Sequence, residues 1–199
     1  MIVAIQKRHI LAAAITALIT TSALAADGTI NFTGEITAAS CKASSGAGTS
    51  VGGGAGAQVI EVPMGKVSID SLSTKNPGIV SGTAININLD CGNTAAGLTT
   101  VKVMFDPNSG SGVDGSNNNL LKTTGAAKGV GIGIFDSSNN LINLAGNGSF
   151  DAPLVKAGTD PAFTYTANLN MRASYVANGV TPIVPGQANG TLPFTLTYQ

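Results

Sequence analysis

The sequence predicts an all-β protein, and three observations indicate this class. Turn-forming residues separate short runs in which apolar and polar side chains alternate, as they do in strands with one buried face. After residue 25, no segment keeps a helical period of about 3.6 over more than a few residues. At least seven such strands favour an antiparallel sandwich, because a sheet with one apolar face must bury that face against a second sheet.

The clearest predicted strand covers residues 163–175, where apolar or small side chains alternate strictly with polar ones. Further strands are predicted at 59–62, 85–91, 101–105 and 130–135. The segment Ser137–Asn140 is expected to turn the chain into Leu141–Ala145 as the second arm of a hairpin. Two Gly-rich segments, Ser44–Ala57 and Asn108–Asn119, are predicted to be mobile surface loops.

The first 25 residues have the pattern of a secretory signal peptide. A short basic start at Lys7–His9 precedes an apolar stretch at Ile10–Ile19 and an A-x-A cleavage site at Ala23–Ala25. Cleavage after Ala25 leaves 174 of the 199 residues, with eight Lys and Arg against ten Asp and Glu, so the net charge is −2. The exported chain then contains no second apolar run long enough to span a membrane.

Cleavage also removes the single histidine, so the exported chain has no imidazole for a catalytic triad, a typical zinc site or proton transfer near neutral pH. The segment Gly48–Gly52 matches the G-x-S-x-G nucleophile pattern, but no strand is predicted before it and no helix after it. Asp106, Asn108, Asp114 and Asn117 could line a calcium loop, but their spacing does not fit the EF-hand template. The sequence predicts no enzyme, no cofactor and no metal site.

Nucleic acid is not an expected partner, because the seven Lys and one Arg of the exported chain are spread along it without forming a basic patch. The two cysteines, Cys41 and Cys91, indicate an oxidising compartment and a single disulfide. Cys91 continues the apolar positions of strand 85–91, which places its sulfur on the buried face. The alternative, a metal site built from two thiolates, lacks histidine partners and C-x-x-C spacing.

Both ends of the exported chain have strand patterns. At the N-terminal end, one face of a predicted strand at 28–36 carries Gly28, Ile30, Phe32, Gly34 and Ile36. At the C-terminal end, a second apolar face carries Leu192, Phe194, Leu196 and Tyr198, and the strand pattern continues to Gln199. Pro193 has no backbone donor, which suits an edge strand. A terminal strand frays unless something holds it, so both strands are expected to have partners.

These features resemble the pilin subunits that the chaperone–usher pathway of Gram-negative bacteria assembles, especially type 1-like fimbrial major subunits. Residues 28–36 look like the family's N-terminal extension, and 85–91 look like its second disulfide strand. Residues 185–199 look like its C-terminal signature, with Gly186 fourteenth from the end and Tyr198 penultimate. The long segment between the cysteines, which includes Ser44–Ala57, departs from the family's pattern.

The resemblance implies an incomplete immunoglobulin-like β-sandwich that lacks its last strand and has an apolar groove beside the C-terminal strand. A strand from a chaperone, and later from a neighbouring subunit, would complete it. The implied divisions are a signal peptide at 1–25, a donor-strand extension at 26–37 and a pilin domain at 38–199. The implied donor residues are Gly28, Ile30, Phe32, Gly34 and Ile36, and the implied groove and chaperone-recognition residues are Gly186, Leu192, Phe194, Leu196, Tyr198 and Gln199.

The implied function is that of a structural subunit of a surface fimbria, which polymerises by donor-strand exchange and supports bacterial adhesion. The implied partners are a periplasmic chaperone, an outer-membrane usher, other copies of the subunit and tip subunits. A minor or adaptor pilin remains an alternative, as does a secreted β-sandwich that binds carbohydrate. A two-domain tip adhesin would need a receptor-binding domain before the pilin domain, whereas the donor-like strand begins two residues after the predicted cleavage site.

Overall fold

The computed structural model describes residues 41–53, 58–72, 82–146, 148–180 and 182–199. The predicted signal peptide and donor-strand extension, including Gly28, Ile30, Phe32, Gly34 and Ile36, lie outside these residues. Every described residue belongs to one unit, Thr37–Gln199. The described helices are two single 3-10 turns, at Ile69–Ser71 and Pro107–Ser109. Neither is long and apolar enough to cross a membrane.

The strands are numbered here in chain order. They are β1 Lys42–Ser45, β2 Ser50–Gly53, β3 Gln58–Glu61, β4 Gly82–Asp90, β5 Thr100–Phe105, β6 Leu121–Lys122, β7 Val130–Phe135, β8 Ser149–Pro153, β9 Val155–Thr159, β10 Ala162–Ala177 and β11 Phe194–Tyr198.

Two antiparallel sheets form a sandwich around a shared core. The larger sheet has the order β1-β4-β10-β7-β6, and β9 pairs with the first residues of β10. The smaller sheet has the order β11-β5-β8, and β2 and β3 form a separate two-stranded antiparallel sheet. Buried side chains of β4, β7 and β10 belong to the same cluster as those of β5. The all-β sandwich expected from the alternating patterns is therefore confirmed.

The long central strand β10 shows why the alternating pattern identified these elements. Ala167, Leu169 and Met171 are buried in the core, while Asn168 and Asn170 between them are exposed. The structure extends this strand by one residue before the predicted start and by two after the predicted end. The strands predicted at 85–91, 101–105 and 130–135 are β4, β5 and β7, and the strand predicted at 59–62 is β3, shifted by one residue.

One face predicted to be polar is covered. Leu120, Phe135 and Val176 form a second small core on the outer side of β7 and the end of β10, and Leu141 packs against it. Ser174, placed by its parity on the exposed face, is only 1 % exposed. The reason is tertiary, because the segment before β6 and the chain after β7 fold over this face.

The hairpin predicted after β7 is only partly formed. Its turn is present, because the Asp136 carboxylate accepts hydrogen bonds from the backbone N–H groups of Ser138 and Asn140. These bonds, with Asn140 contributing most, hold the pKa of Asp136 below its ordinary value. The prediction of a second arm at Leu141–Ala145 is wrong, since this segment makes a single bridge, from Leu141 to Phe135. The side chain of Asn143 then accepts from the N–H groups two and three residues later, which turns the chain away from β7.

The Gly-rich segment Ser44–Ala57, expected as a loop, contains β2 and the end of β1 in its described part. Strand β1 pairs with residues 87–90 of β4. The Thr49 hydroxyl donates to the backbone oxygen of Asn86 at 2.9 Å. A Cβ at Gly48, where φ is 85°, would come within 2.3 Å of the Ala84 oxygen. Pairing with β4 supplies the order that this low-complexity sequence does not predict.

Candidate functional site

Strand β11 forms one edge of the smaller sheet. It pairs antiparallel with β5, and the directly paired residues include Phe194 with Phe105, Leu196 with Val103 and Tyr198 with Val101. Within the part of the chain that the structure describes, β11 has no strand on its other side. The edge position expected from Pro193 agrees with this pairing.

The side chains on β11 are covered less completely than their partners on β5. Val101, Val103 and Phe105 are 0 %, 1 % and 6 % exposed, whereas Phe194, Leu196 and Tyr198 are only half-buried. Directly opposite residues of an antiparallel pair share one face of the sheet, so both sets face the same core. The core is therefore complete under β5 and incomplete under β11.

One edge of the larger sheet, formed by β1, lies on the same side of the sandwich as β11. Strand β1 pairs with β4 alone, and its Ala43, opposite the buried Leu89, is only partly buried against the core. Burial raises the pKa of Tyr198, and a hydrogen bond between its hydroxyl and the backbone of Cys41 opposes this with a smaller effect. That contact places the end of β11 beside the start of β1. In the described residues, these two edge strands are neighbours without a shared ladder.

The predicted disulfide joins Cys41 and Cys91 and so fixes this edge. Cys91 is 3 % exposed, as its parity in β4 predicted. Its backbone N–H donates to the oxygen of Tyr165 at 2.8 Å. The bridge therefore ties the residue before the edge strand β1 to the residue after β4.

Three further apolar residues lie against this core, and the sequence patterns did not identify them as part of it. Ile60, Val62 and Met64 are half-buried and pack against the main cluster, as Leu192 and the β11 residues do. They alternate with exposed Glu61 and Pro63. That alternation is the signal that could have identified one continuous apolar face from β3 through Met64.

The edge strands β8 and β9 carry features that discourage pairing, whereas β11 does not. Strand β8, at the far edge of the smaller sheet, contains Asp151 and ends at Pro153. Strand β9 carries Lys156 and a glycine with φ of 92° at Gly158. Charges, prolines and local distortion protect sheet edges from adding another strand. The residues Phe194–Tyr198 include no charge and no proline, so β11 lacks the features that protect β8 and β9.

The other two residues predicted in the groove have different positions. The Gln199 backbone continues the pairing, because its N–H donates to the Thr100 oxygen at 2.9 Å and its oxygen accepts from the N–H groups of Thr99 and Thr100. Gly186 lies against the turn at Ala126 and Ala127, where an added Cβ would be 2.6 Å from the Ala127 nitrogen. Gly186 is thus required by a close backbone approach on the path to β11.

We expect Gly186→Ala to lower the free energy of unfolding by about 1–3 kcal/mol, because the added methyl overlaps backbone atoms that cannot rotate away. Gly52→Ala is the matched control, since a Cβ there would meet nothing within 4 Å. Urea unfolding of the two variants checks the prediction. Equal stabilities would show that the chain at 126–127 moves aside at no cost.

The polar residues considered for catalysis or calcium binding serve separate local turns. Asp106 caps the 3-10 turn through Ser109, and hydrogen bonds from Ser109 lower the pKa of Asp106. Asp114 accepts from the backbone N–H groups of Ser116 and Asn117 and from the Asn178 side chain. Within the described residues, no three His, Cys, Asp or Glu side chains are grouped as a metal site would require.

Comparisons with known proteins agree with this architecture. The family model described as Fimbrial protein matches residues 30–199. Long polar fimbria protein A of Salmonella typhimurium (strain LT2) is 33% identical over 212 residues, which cover 98% of each chain. The probable major fimbrial subunit LpfA of Escherichia coli O157:H7 is 34% identical over 198 residues, covering 94% of each.

The fold has a counterpart among solved structures. One chain of a chaperone–usher pilus matches with a TM-score of 0.50 at 22% identity, covering 87% of this chain and 96% of that one. At this identity the likeness shows the fold alone, which is an immunoglobulin-like sandwich. Together with the match of the family model over most of the chain, it leads to one conclusion: the chain belongs to the fimbrial protein family.

Proposed function

We propose that this fimbrial protein is a structural subunit that polymerises when a segment of another copy adds a strand beside β11. The observation that carries the proposal is the contrast between directly paired residues, buried on β5 and half-buried on β11. A strand added at this edge would bond to the outward N–H and C=O groups of β11 and would cover its apolar side chains. Addition of a strand to an exposed sheet edge is a general mode of recognition.

The N-terminal segment 28–36 is the proposed donor. Its Ile30, Phe32 and Ile36 share one face, and burying them contributes roughly 5–8 kcal/mol of gross driving force, at about 1.5–3 kcal/mol each. Gly34 has no side chain, which permits close approach where the groove is shallow. Gly28 completes this face. The donor residues follow the predicted signal peptide directly, so they would become available on export.

Assembly of such a subunit requires temporary cover for β11, because an exposed apolar edge invites aggregation. A periplasmic chaperone that lends a strand would supply that cover, and an outer-membrane usher would then order the exchange. The fimbrium outside the cell, with its tip subunits, is the proposed destination. The match of almost the full chain to a probable major fimbrial subunit supports a major role over a minor or adaptor role. Carbohydrate binding by an isolated sandwich is not favoured.

We expect Leu196→Asp to abolish fibres, because donor addition would bury an unpaired carboxylate at a cost of several kcal/mol. Thr195→Asp is the matched control, since Thr195 is exposed on the same strand. Phe32→Asp should also abolish fibres but leave capture by the chaperone intact, because it changes the donor and not the groove. Electron microscopy of cells, with co-purification of the chaperone, measures both outcomes. Normal fibres from Leu196→Asp would contradict the proposed role of β11.

A further inference from the structure

The chain enters β11 through contacts with the turn that follows β5. The backbone N–H of Asp106 donates to the Pro193 oxygen at 2.9 Å, and the N–H of Ser111 donates to the Thr191 oxygen at 2.9 Å. In return, the Thr191 N–H donates to the Ser111 hydroxyl oxygen at 2.9 Å. We call Asp106–Ser111 the turn clamp. It holds both residues that flank Leu192.

Gly110 makes this contact possible. A Cβ at this position would lie 2.1 Å from the Thr191 oxygen and 2.6 Å from the Cδ atom of Pro193. The first of these atoms belongs to the backbone, so any side chain at Gly110 must displace the chain that leads into β11. The space is therefore fitted to a glycine.

The turn clamp is held by its own internal hydrogen bonds. The Asp106 side chain caps the 3-10 turn by accepting from the Ser109 N–H at 3.3 Å, and it also accepts from the Ser109 hydroxyl. The oxygen of Pro107, which is buried, accepts from the N–H groups of Gly110 and Gly112. A turn fixed in this way can transmit its position to the strand that it contacts.

Strand β11 needs an external determinant of register. In a buried strand, register follows from the apolar pattern, because a slip of one residue moves every side chain to the other face. In β11 the apolar residues Phe194, Leu196 and Tyr198 are only half-buried, and they repeat every two residues. A slip of two residues would therefore keep the same face inward at little cost in burial. The turn clamp at one end and the bonds from Thr99 and Thr100 to Gln199 at the other oppose that slip.

We propose that the turn clamp sets the register of β11 and so holds the edge in the position that accepts a donor strand, with Gly110 and Ser111 as positioning residues. This inference rests on the proposed function of β11. It predicts that substitutions in the clamp alter donor binding even though neither residue lies on β11.

The test compares four variants of the exported chain. Ser111→Ala removes the hydroxyl that accepts from Thr191, and Ser111→Thr restores it. Gly110→Val places a side chain against the Thr191 oxygen. Gly115→Ala is the control, because a Cβ there would meet nothing within 4 Å. The probe is a labelled synthetic peptide of Asp27–Ile36.

We expect Ser111→Ala to weaken peptide binding by about tenfold, as expected for one lost hydrogen bond of ordinary strength. Gly110→Val should weaken binding at least as much, because its side chain displaces the backbone at Thr191. Ser111→Thr and Gly115→Ala should bind as the wild type does. Without peptide, amide hydrogen exchange in β11 should accelerate in the first two variants, while exchange in β10 stays unchanged. A merely structural role would instead lower the melting temperature and leave binding by the folded subunit unaltered.

The inference would be overturned if Ser111→Ala left the rate of hydrogen exchange in β11 unchanged. It would also be overturned if Ser111→Thr failed to return that rate to the wild-type value. If Gly110→Val does not fold, the Ser111 pair still decides. If the wild-type chain binds no peptide, the proposed function fails, whereas the exchange measurement still decides whether the clamp sets the register.

Discussion

A subunit that carries a copy of Asp27–Ile36 behind Gln199, with the original segment deleted, should melt on the order of 10 °C higher than the chain without it and stay monomeric. The copy would be joined through a short flexible linker. In the described residues, β11 pairs with β5 alone. The added copy would fold back and pair with the free edge of β11. Covering that edge should also remove the surface through which copies associate.

The size of this effect follows from burial and tethering. The apolar donor residues contribute roughly 5–8 kcal/mol of gross driving force, and ordering the added strand offsets part of it. A tether makes the local concentration of the donor high and the entropy of loop closure modest. A net gain of a few kcal/mol corresponds to a shift on the order of 10 °C in a domain of this size. In the fusion the Gln199 oxygen is an amide carbonyl, so it can still accept from Thr99 and Thr100.

The matched control is the same fusion with Phe32→Asp in the added strand, which should lose most of the gain. Calorimetry and sedimentation measure the two quantities. A chain without any donor copy, with its disulfide intact and no chaperone, could prove to be a stable monomer of equal melting temperature. In that case the sandwich is self-contained and the donor-strand proposal is wrong.

Removal of the Cys41–Cys91 bridge should lower the free energy of unfolding by about 4 kcal/mol, on the chain-entropy model for a separation of 50 residues. This is a large share of the stability of an ordinary domain. The loss of the bridge should also loosen the edge at β11, because Cys41 precedes β1 and its backbone contacts Tyr198 at the end of β11. Cys41→Ser combined with Cys91→Ser therefore should reduce fibre yield as well as stability.

Reduced wild-type protein is the control for this variant, since it loses the covalent link but keeps the volume of both sulfurs. If the covalent link is the cause, the free energies of unfolding measured in urea should fall by similar amounts in the reduced protein and in the double variant. If the reduced protein unfolds at the same urea concentration as the oxidised protein, packing around Cys91, and not the bridge, provides the stability.

Residue patterns alone identified the central strands, because each of them buries one face and exposes the other. Leu169 and Asn168 of β10 illustrate this, one fully buried and the other exposed. The same parity placed Cys91 on the buried side, where the disulfide forms. The apolar alternation in Phe194–Tyr198 likewise identified the strand that becomes the candidate site.

Long-range contacts decided the rest, because local sequence carries no record of what covers an element. Ser174 is buried since a second small core forms over it, and β1 and β2 form in a Gly-rich segment since β4 and β3 pair with them. Strands β8 and β9 have no clear alternation, and pairing with β5 and β10 makes them strands. The half-burial of β11 and its contact with the turn clamp also depend on segments far apart in sequence, so only the tertiary structure could show them.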